Sequence, residues 1–270
     1  MIETPALAAE RPPRLRHLAV DMIILIAVPI LASLLVGVIR LFQSGLTMAQ
    51  IQALDDAGRI ALIGIPGIIA IIALQSLAFA GVPILRTRLG WRAPLARIGL
   101  VAERPLRLIF VGVGIGILVL TSNIVLGLMF AQLGIRQNQS AQYPLVRGDY
   151  IGQLLFFIGA AIVVPFAEEL LFRGYLFLTL RRMGIARGWP RAIAFIVSAL
   201  LFGLAHSIAA TQGQIALVSV TSAMGLILAW AADRTGSIIP GVIAHACNNG
   251  VALLALIACI NSPGLCPSPP

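Results

Sequence analysis

Long runs of apolar residues are the feature that most constrains how this chain can fold. The first run extends from Leu18 to Phe42. Six further runs follow it, at residues 60–85, 108–131, 151–180, 191–209, 214–232 and 236–260. About 20 apolar residues suffice to cross a bilayer as a helix, and the bilayer offers no water to unpaired backbone groups. The sequence therefore predicts an all-α polytopic membrane protein with about seven transmembrane helices.

The composition favours one membrane-embedded domain over a separate soluble one. Of the 270 residues, 59% are hydrophobic and only 11% are charged. Since no polar stretch is long enough to form a water-soluble core, we expect residues 1–270 to form a single membrane-embedded domain. Residues 1–17, which contain three arginines, are predicted to be a cytoplasmic N-terminal tail. The first apolar run would then be an uncleaved signal anchor.

The arginines orient the predicted helices. The net charge is +9 and every basic residue is arginine. The segment Arg86–Arg107 contains six arginines and one glutamate, and Arg181–Arg191 contains four arginines and no acid. By the positive-inside rule, both loops and the N-terminus lie in the cytoplasm and the C-terminal tail lies outside. This excess of charge reflects topology, so we expect no nucleic-acid partner. The polar stretch Gln132–Tyr150 is predicted to be the longest external loop.

Three of the predicted helices carry polar and charged side chains that the hydrocarbon layer disfavours. A charge at the centre of a spanning helix costs about 2.5–3.5 kcal/mol even on lenient insertion scales. The residues concerned are Glu168, Glu169, Arg173, His206, His245, Asn248 and Asn249. At 1.5 Å per residue, Glu168, His206 and His245 lie about 20, 22 and 17 Å from the arginine at the cytoplasmic end of their helix. This common depth predicts one shared site.

The two adjacent carboxylates differ in their helical neighbours. Glu169 and Arg173 are four residues apart, so they face each other and can form an ion pair. Glu168 points about 100° away from that pair and stays free to take a proton from water as a general base. Pro165, three residues before Glu168, is placed to kink the helix and to open room for a substrate.

The histidines and asparagines complete the predicted site. His206 and His245 are candidates to hold the water, to bind a metal, or to stabilise an oxyanion. Asn249 lies one turn after His245 on the same helical face, where its uncharged amide can donate to a carbonyl oxygen. Asn248 is one residue off that face and is the second choice for this role.

Most of these residues fall into three short motifs. The motifs are Glu168-Glu169-x-x-x-Arg173, Phe202-x-x-x-His206 and His245-x-x-x-Asn249. In order and spacing they resemble those of the CAAX-protease and bacteriocin-processing family (CPBP, also called Abi), which includes the Ras-converting CAAX endopeptidases. The resemblance covers about residues 150–260, which we therefore expect to be the catalytic helices. It implies an intramembrane endopeptidase acting on a membrane-associated peptide or protein.

The resemblance also implies roles for single residues. Glu168 would be the base, with His206 sharing the water, and His245 with Asn249 would support the tetrahedral oxyanion. The adjacent ion pair would order the site. We expect no organic cofactor. Zn²⁺ is an alternative, with Glu168, His206 and His245 as its ligands, although the H-E-x-x-H motif is absent.

Two other functions compete with proteolysis. Intramembrane carboxylates and imidazoles also form proton pathways, so a proton-coupled transporter is the first alternative, and a non-catalytic membrane scaffold is the second. Apart from the cluster, polar residues in the predicted helices are few, mainly Gln75, Ser76, Asn123, Thr221 and Ser222. Such a sparse set is unlike a transport pathway.

The amino-acid usage points to a source and a compartment. Arginine as the only basic residue, with abundant alanine and glycine, suggests a bacterium of high GC content. We therefore expect the protein in the bacterial cytoplasmic membrane, with a bacterial peptide or membrane protein as substrate rather than a prenylated tail. Asp21 is expected to lie near the membrane interface, where it can hydrate.

Overall fold

The regular structure is helical throughout the part of the chain that the computed structural model describes, namely residues 15–135, 143–207, 213–262 and 264. The helices are α1 (Leu15–Ser44), α2 (Met48–Gln52), α3 (Asp56–Leu85), α4 (Pro105–Gln132), α5 (Tyr150–Ile158), α6 (Val164–Glu169), α7 (Leu178–Arg187), α8 (Arg191–Ser207), α9 (Gln214–Thr235) and α10 (Ile239–Asn261). The predicted all-α class is confirmed. Most of the predicted N-terminal tail, residues 1–14, lies outside the described residues.

Six helical spans in the described residues are long and apolar enough to cross a membrane. They are Leu15–Ser44, Gly58–Gly90, Pro105–Gln132, Tyr150–Arg187, Gln214–Thr235 and Ile239–Asn261. The predicted fifth span corresponds to α8, which has 17 residues and is about 25 Å long, shorter than a hydrocarbon core of about 30 Å. The polytopic class is confirmed, and because residues 208–212, directly after α8, lie outside the described part of the chain, the count of about seven helices stays a prediction. The protein is an integral membrane protein, and its predicted orientation stays a prediction.

The longest span is one continuous helical stretch, Tyr150–Arg187, formed by α5, α6 and α7. Two π-helical segments, Gly159–Val163 and Leu170–Phe177, join its three α-helical parts. A π turn is wider than an α turn and occurs most often at functional sites. Half of the most apolar part of this stretch is buried, against 22% for α1, so this stretch lies at the centre of the bundle.

A break in α3 shows how this bundle satisfies backbone groups that proline leaves free. Gly64 has φ 61° and ψ 179°, and Pro66 follows it within the helix. Proline has no N–H to donate to the carbonyl four residues earlier, which is that of Leu62. The Nε of Arg40, on α1, donates to this carbonyl at 3.1 Å. A side chain of a neighbouring helix therefore replaces the missing backbone donor.

Asp21 connects α1 to the central stretch and is only 3% exposed. Its Oδ2 accepts a hydrogen bond from Arg86 Nε at 2.9 Å and another from the Tyr175 hydroxyl, and its Oδ1 accepts from Arg86 NH2. The ring of Trp91 stacks on that of Tyr175 with centroids 5.4 Å apart. The prediction that Asp21 hydrates at the interface was wrong, because tertiary packing encloses it and gives it partners inside the protein.

Candidate active site

The central stretch places two adjacent carboxylates inside the protein. Glu168 and Glu169 are the last residues of α6, and they are 7% and 0% exposed. The π-helical segment that follows carries Arg173, which is also fully buried. Since ionised groups are rarely enclosed without partners, the side chains around these three residues decide what the site can do.

Glu169 takes part in the ion pair that its spacing predicts. Its Oε1 accepts hydrogen bonds from Arg173 NH1 at 2.6 Å and from His245 Nδ1 at 3.1 Å. Its Oε2 has no hydrogen-bond partner among the described residues. A Cβ at Gly241 would lie 2.7 Å from this oxygen, so glycine at that position allows α10 to approach the carboxylate. Glu169 therefore connects the central stretch, Tyr150–Arg187, to α10.

Glu168 faces two imidazole rings instead of a cation. Its Oε2 lies 3.7 Å from His245 Nε2 and 3.9 Å from His206 Nε2, and both distances are too long for a direct hydrogen bond. Within the described part of the chain, no partner is bonded to this oxygen. The carboxylate is thus buried, unpaired and directed at two imidazole nitrogens.

The tautomer of His206 follows from its backbone contact. Its Nδ1 lies 2.8 Å from the carbonyl oxygen of Phe202. A carbonyl only accepts, so Nδ1 carries the hydrogen, and the neutral ring has a lone pair at Nε2. This lone pair and Glu168 Oε2 are two acceptors facing each other across 3.9 Å. A group with two hydrogens to donate, or a cation, would satisfy both.

The ring of Phe202 packs against three residues of the site. The guanidinium carbon of Arg173 lies 4.1 Å from the centroid of its ring. The rings of His206 and His245 approach the same ring edge-on, with centroids at 4.5 and 5.8 Å. The ring face offers the cation an attraction that does not require a hydrogen bond. Phe202 therefore packs against both histidines and the arginine and fixes their spacing.

The structure tests the fit of the predicted zinc ligands. Glu168, His206 and His245 lie around one point, as expected. Across the described ranges, however, no group of three or more His, Cys, Asp or Glu side chains is arranged to hold a metal ion. The described residues therefore do not form a recognisable metal centre, and Zn²⁺ at this site stays a prediction.

Asn249 lies one turn from His245 but is bonded in another direction. Its Nδ2 donates to the carbonyl of Ala160 at 3.1 Å, and its Oδ1 accepts from Asn248 Nδ2 at 3.2 Å. The structure thus brings together the carboxylates, the arginine and both histidines, whereas the bonds of Asn249 go to Ala160 and Asn248. These two bonds fix the Asn249 amide without linking it directly to Glu168.

Tyr143 is a residue near the site that the sequence did not indicate. It precedes α5, and its ring packs against that of Phe156 with centroids 4.9 Å apart. Burial raises the pKa of the Tyr143 hydroxyl, and the charge of Glu168 raises this pKa further. Tyr143 belongs to the stretch predicted as an external loop, where an isolated tyrosine gives no periodic signal. Residues 136–142 of that stretch lie outside the described residues.

These features define a class: an all-α integral membrane protein with carboxylates, imidazoles and a guanidinium enclosed among its spanning helices. Residues 150–251 match the family described as type II CAAX prenyl endopeptidase Rce1-like. The match confirms the resemblance that the three motifs carry, and it includes every residue of the cluster. It supports a CAAX-type intramembrane protease, which is a hydrolase. No curated protein and no solved structure matches the chain significantly.

Proposed function

We propose that the protein is an intramembrane endopeptidase that cleaves a membrane-associated peptide or protein with water activated by Glu168 and His206. The observation that carries this proposal is a pair of facing acceptors, the buried Glu168 Oε2 and the partly buried His206 Nε2, at 3.9 Å. A water molecule between them would donate one hydrogen to each and so satisfy both acceptors.

The reaction follows from the acid–base properties of this pair. The water oxygen attacks the carbonyl carbon of the peptide bond while Glu168 takes one of its protons. The tetrahedral intermediate carries a negative charge on the former carbonyl oxygen. Glu168 then returns the proton to the nitrogen of the leaving amine, and the C–N bond breaks. The products are a carboxylic acid and an amine, and Glu168 is again ionised.

His245 and Asn249 are proposed to stabilise the oxyanion. His245 lies between the carboxylates, with Nδ1 bonded to Glu169 and Nε2 3.7 Å from Glu168. A hydrogen at Nε2 would point towards the reacting group, together with the amide hydrogen of Asn249 that does not bond Ala160.

The experiment compares Glu168→Gln with wild-type protein, purified in detergent or liposomes, on a library of amphipathic peptides that includes CAAX-type prenylated tails. Glutamine keeps the shape but cannot take the proton, so we expect loss of about 10²–10⁴ in turnover with folding intact. Glu103 is exposed, so the Glu103→Gln variant is the matched control and should cleave peptides at the wild-type rate. Near-normal turnover of Glu168→Gln would refute the proposal.

Two further measurements separate the roles within the site. His206→Ala should fall to background, because the water is no longer held. Asn249→Ala should lose about 10²–10³ in turnover and keep substrate binding.

The remaining alternatives have their own tests. If zinc takes part, elemental analysis should find one ion per chain and chelation should inactivate the wild type. If cleavage is absent while the protein dissipates a proton gradient in liposomes, the transporter alternative replaces this one.

A further inference from the structure

We propose that Asn123 of α4 and Asn248 of α10 are positioning residues, which together with Pro165 fix the direction in which the Asn249 amide points. The inference rests on the proposed function, because it gives that amide its role at the oxyanion. It extends the site to α4, which lies outside the family match at residues 150–251.

The arrangement begins at a carbonyl that the central stretch leaves available. In the π-helical segment Gly159–Val163, the N–H of Val164 donates to the carbonyl of Gly159, five residues earlier. In the same pattern, the donor for the Ala160 carbonyl would be residue 165. Pro165 has no N–H. The Nδ2 of Asn249 donates to the Ala160 carbonyl at 3.1 Å instead, as Arg40 does at the break in α3.

This single carbonyl sets the direction of three amides. A carbonyl oxygen only accepts, so Asn249 must turn its Nδ2 towards Ala160 and its Oδ1 away. That Oδ1 accepts from Asn248 Nδ2 at 3.2 Å, and Asn248 Oδ1 in turn accepts from Asn123 Nδ2 at 2.9 Å. Reversing any one amide would place two oxygens or two N–H groups against each other. The chain of bonds is therefore consistent in one direction only.

The consequence concerns the second hydrogen of Asn249. An amide nitrogen carries two hydrogens, and the bond to Ala160 uses one of them. The other remains for the oxyanion, and Oδ1, which would repel that charge, is held by Asn248. Loss of the Asn123 bond would free the Asn248 amide to rotate away from Asn249 Oδ1, and the bond to Ala160 alone would then hold the Asn249 amide less firmly. A donor that is not fixed in advance stabilises a transition state less well.

The first test replaces Asn123 by leucine, which has a similar size and no amide. We expect kcat to fall about 10- to 100-fold with KM unchanged, since the amide is misdirected but substrate contacts remain. The matched control is Thr121→Val on the same helix, because the Thr121 hydroxyl is exposed and, among the described residues, bonds only the backbone carbonyl of Ile117, one turn earlier. Equal kcat in Asn123→Leu and wild type, with both folded, would overturn the inference.

The second test acts from the opposite end and does not depend on the folding of the first variant. Pro165→Ala restores an N–H that competes for the Ala160 carbonyl, so kcat should fall in the same range. In an Asn249→Ala background, neither Asn123→Leu nor Pro165→Ala should lower kcat further. Additive losses there would overturn the inference. Failure of the proposed function is a separate result, because it would appear as turnover in Glu168→Gln.

Discussion

Two pairs of acid and arginine lie within the spanning helices, and they differ in how completely their polar atoms are bonded. In the pair Asp21–Arg86, both carboxylate oxygens accept from the guanidinium, and the Tyr175 hydroxyl adds a further bond. In the pair Glu169–Arg173, one carboxylate oxygen and two guanidinium nitrogens have no hydrogen-bond partner in the described structure. We call the first pair saturated, because both of its carboxylate oxygens accept hydrogen bonds, and the second pair unsaturated.

The difference distinguishes a fully bonded carboxylate from carboxylates that keep open hydrogen-bonding capacity. Unmade hydrogen bonds inside a protein cost about 1–3 kcal/mol for each group, and more for charged groups. A bundle that contains the saturated pair of Asp21 clearly can satisfy an enclosed carboxylate. Open hydrogen-bonding capacity around Glu168 and Glu169 is therefore the property expected of groups that act on water and substrate.

The largest expected effect comes from Glu169→Gln at the unsaturated pair. It leaves the buried guanidinium of Arg173 without its counter-charge, which should lower stability by about 3–5 kcal/mol and reduce cleavage as well. Thermal unfolding in detergent and peptide cleavage measure the two effects. The double variant Glu169→Gln/Arg173→Met should regain stability and not activity. Wild-type stability in the single variant would show that the pair does not hold the site.

A smaller effect is expected from Asp21→Asn at the saturated pair. The amide cannot accept at both ends, so at least one donor from Arg86 or Tyr175 is left unpaired, at a cost of about 1–3 kcal/mol. Turnover per folded molecule should stay at the wild-type value, because the hydrogen bonds of Asp21 go to Arg86 and Tyr175, neither of which belongs to the site cluster. A loss of turnover beyond the loss of folded protein would mean that the two pairs are coupled and would remove the contrast between them.

The smallest effect is expected from Tyr175→Phe. The ring keeps its stacking on Trp91, and Asp21 keeps both bonds from Arg86, so only one hydrogen bond is lost. We expect a decrease of about 1 kcal/mol in stability and unchanged cleavage. A decrease as large as that of Asp21→Asn would assign most of the saturation to the tyrosine instead of the arginine.

Local patterns in the sequence predicted what depends on spacing along one helix. The apolar runs predicted the helices, and the four-residue separation of Glu169 and Arg173 predicted their ion pair, which the structure places at 2.6 Å. The same reasoning failed for Asp21, whose partners Arg86 and Tyr175 are 65 and 154 residues away in the sequence.

The sequence by itself determined the membrane class, the helices and the set of candidate site residues, because hydropathy and helical periodicity act between near neighbours. Only the tertiary structure decided which of those residues meet. Pro165 illustrates the division: the sequence shows that its N–H is missing, whereas the packing of α10 decides that Asn249 takes the carbonyl of Ala160. Partners brought together by packing leave no local pattern, since their separation along the chain is set by loops and intervening helices.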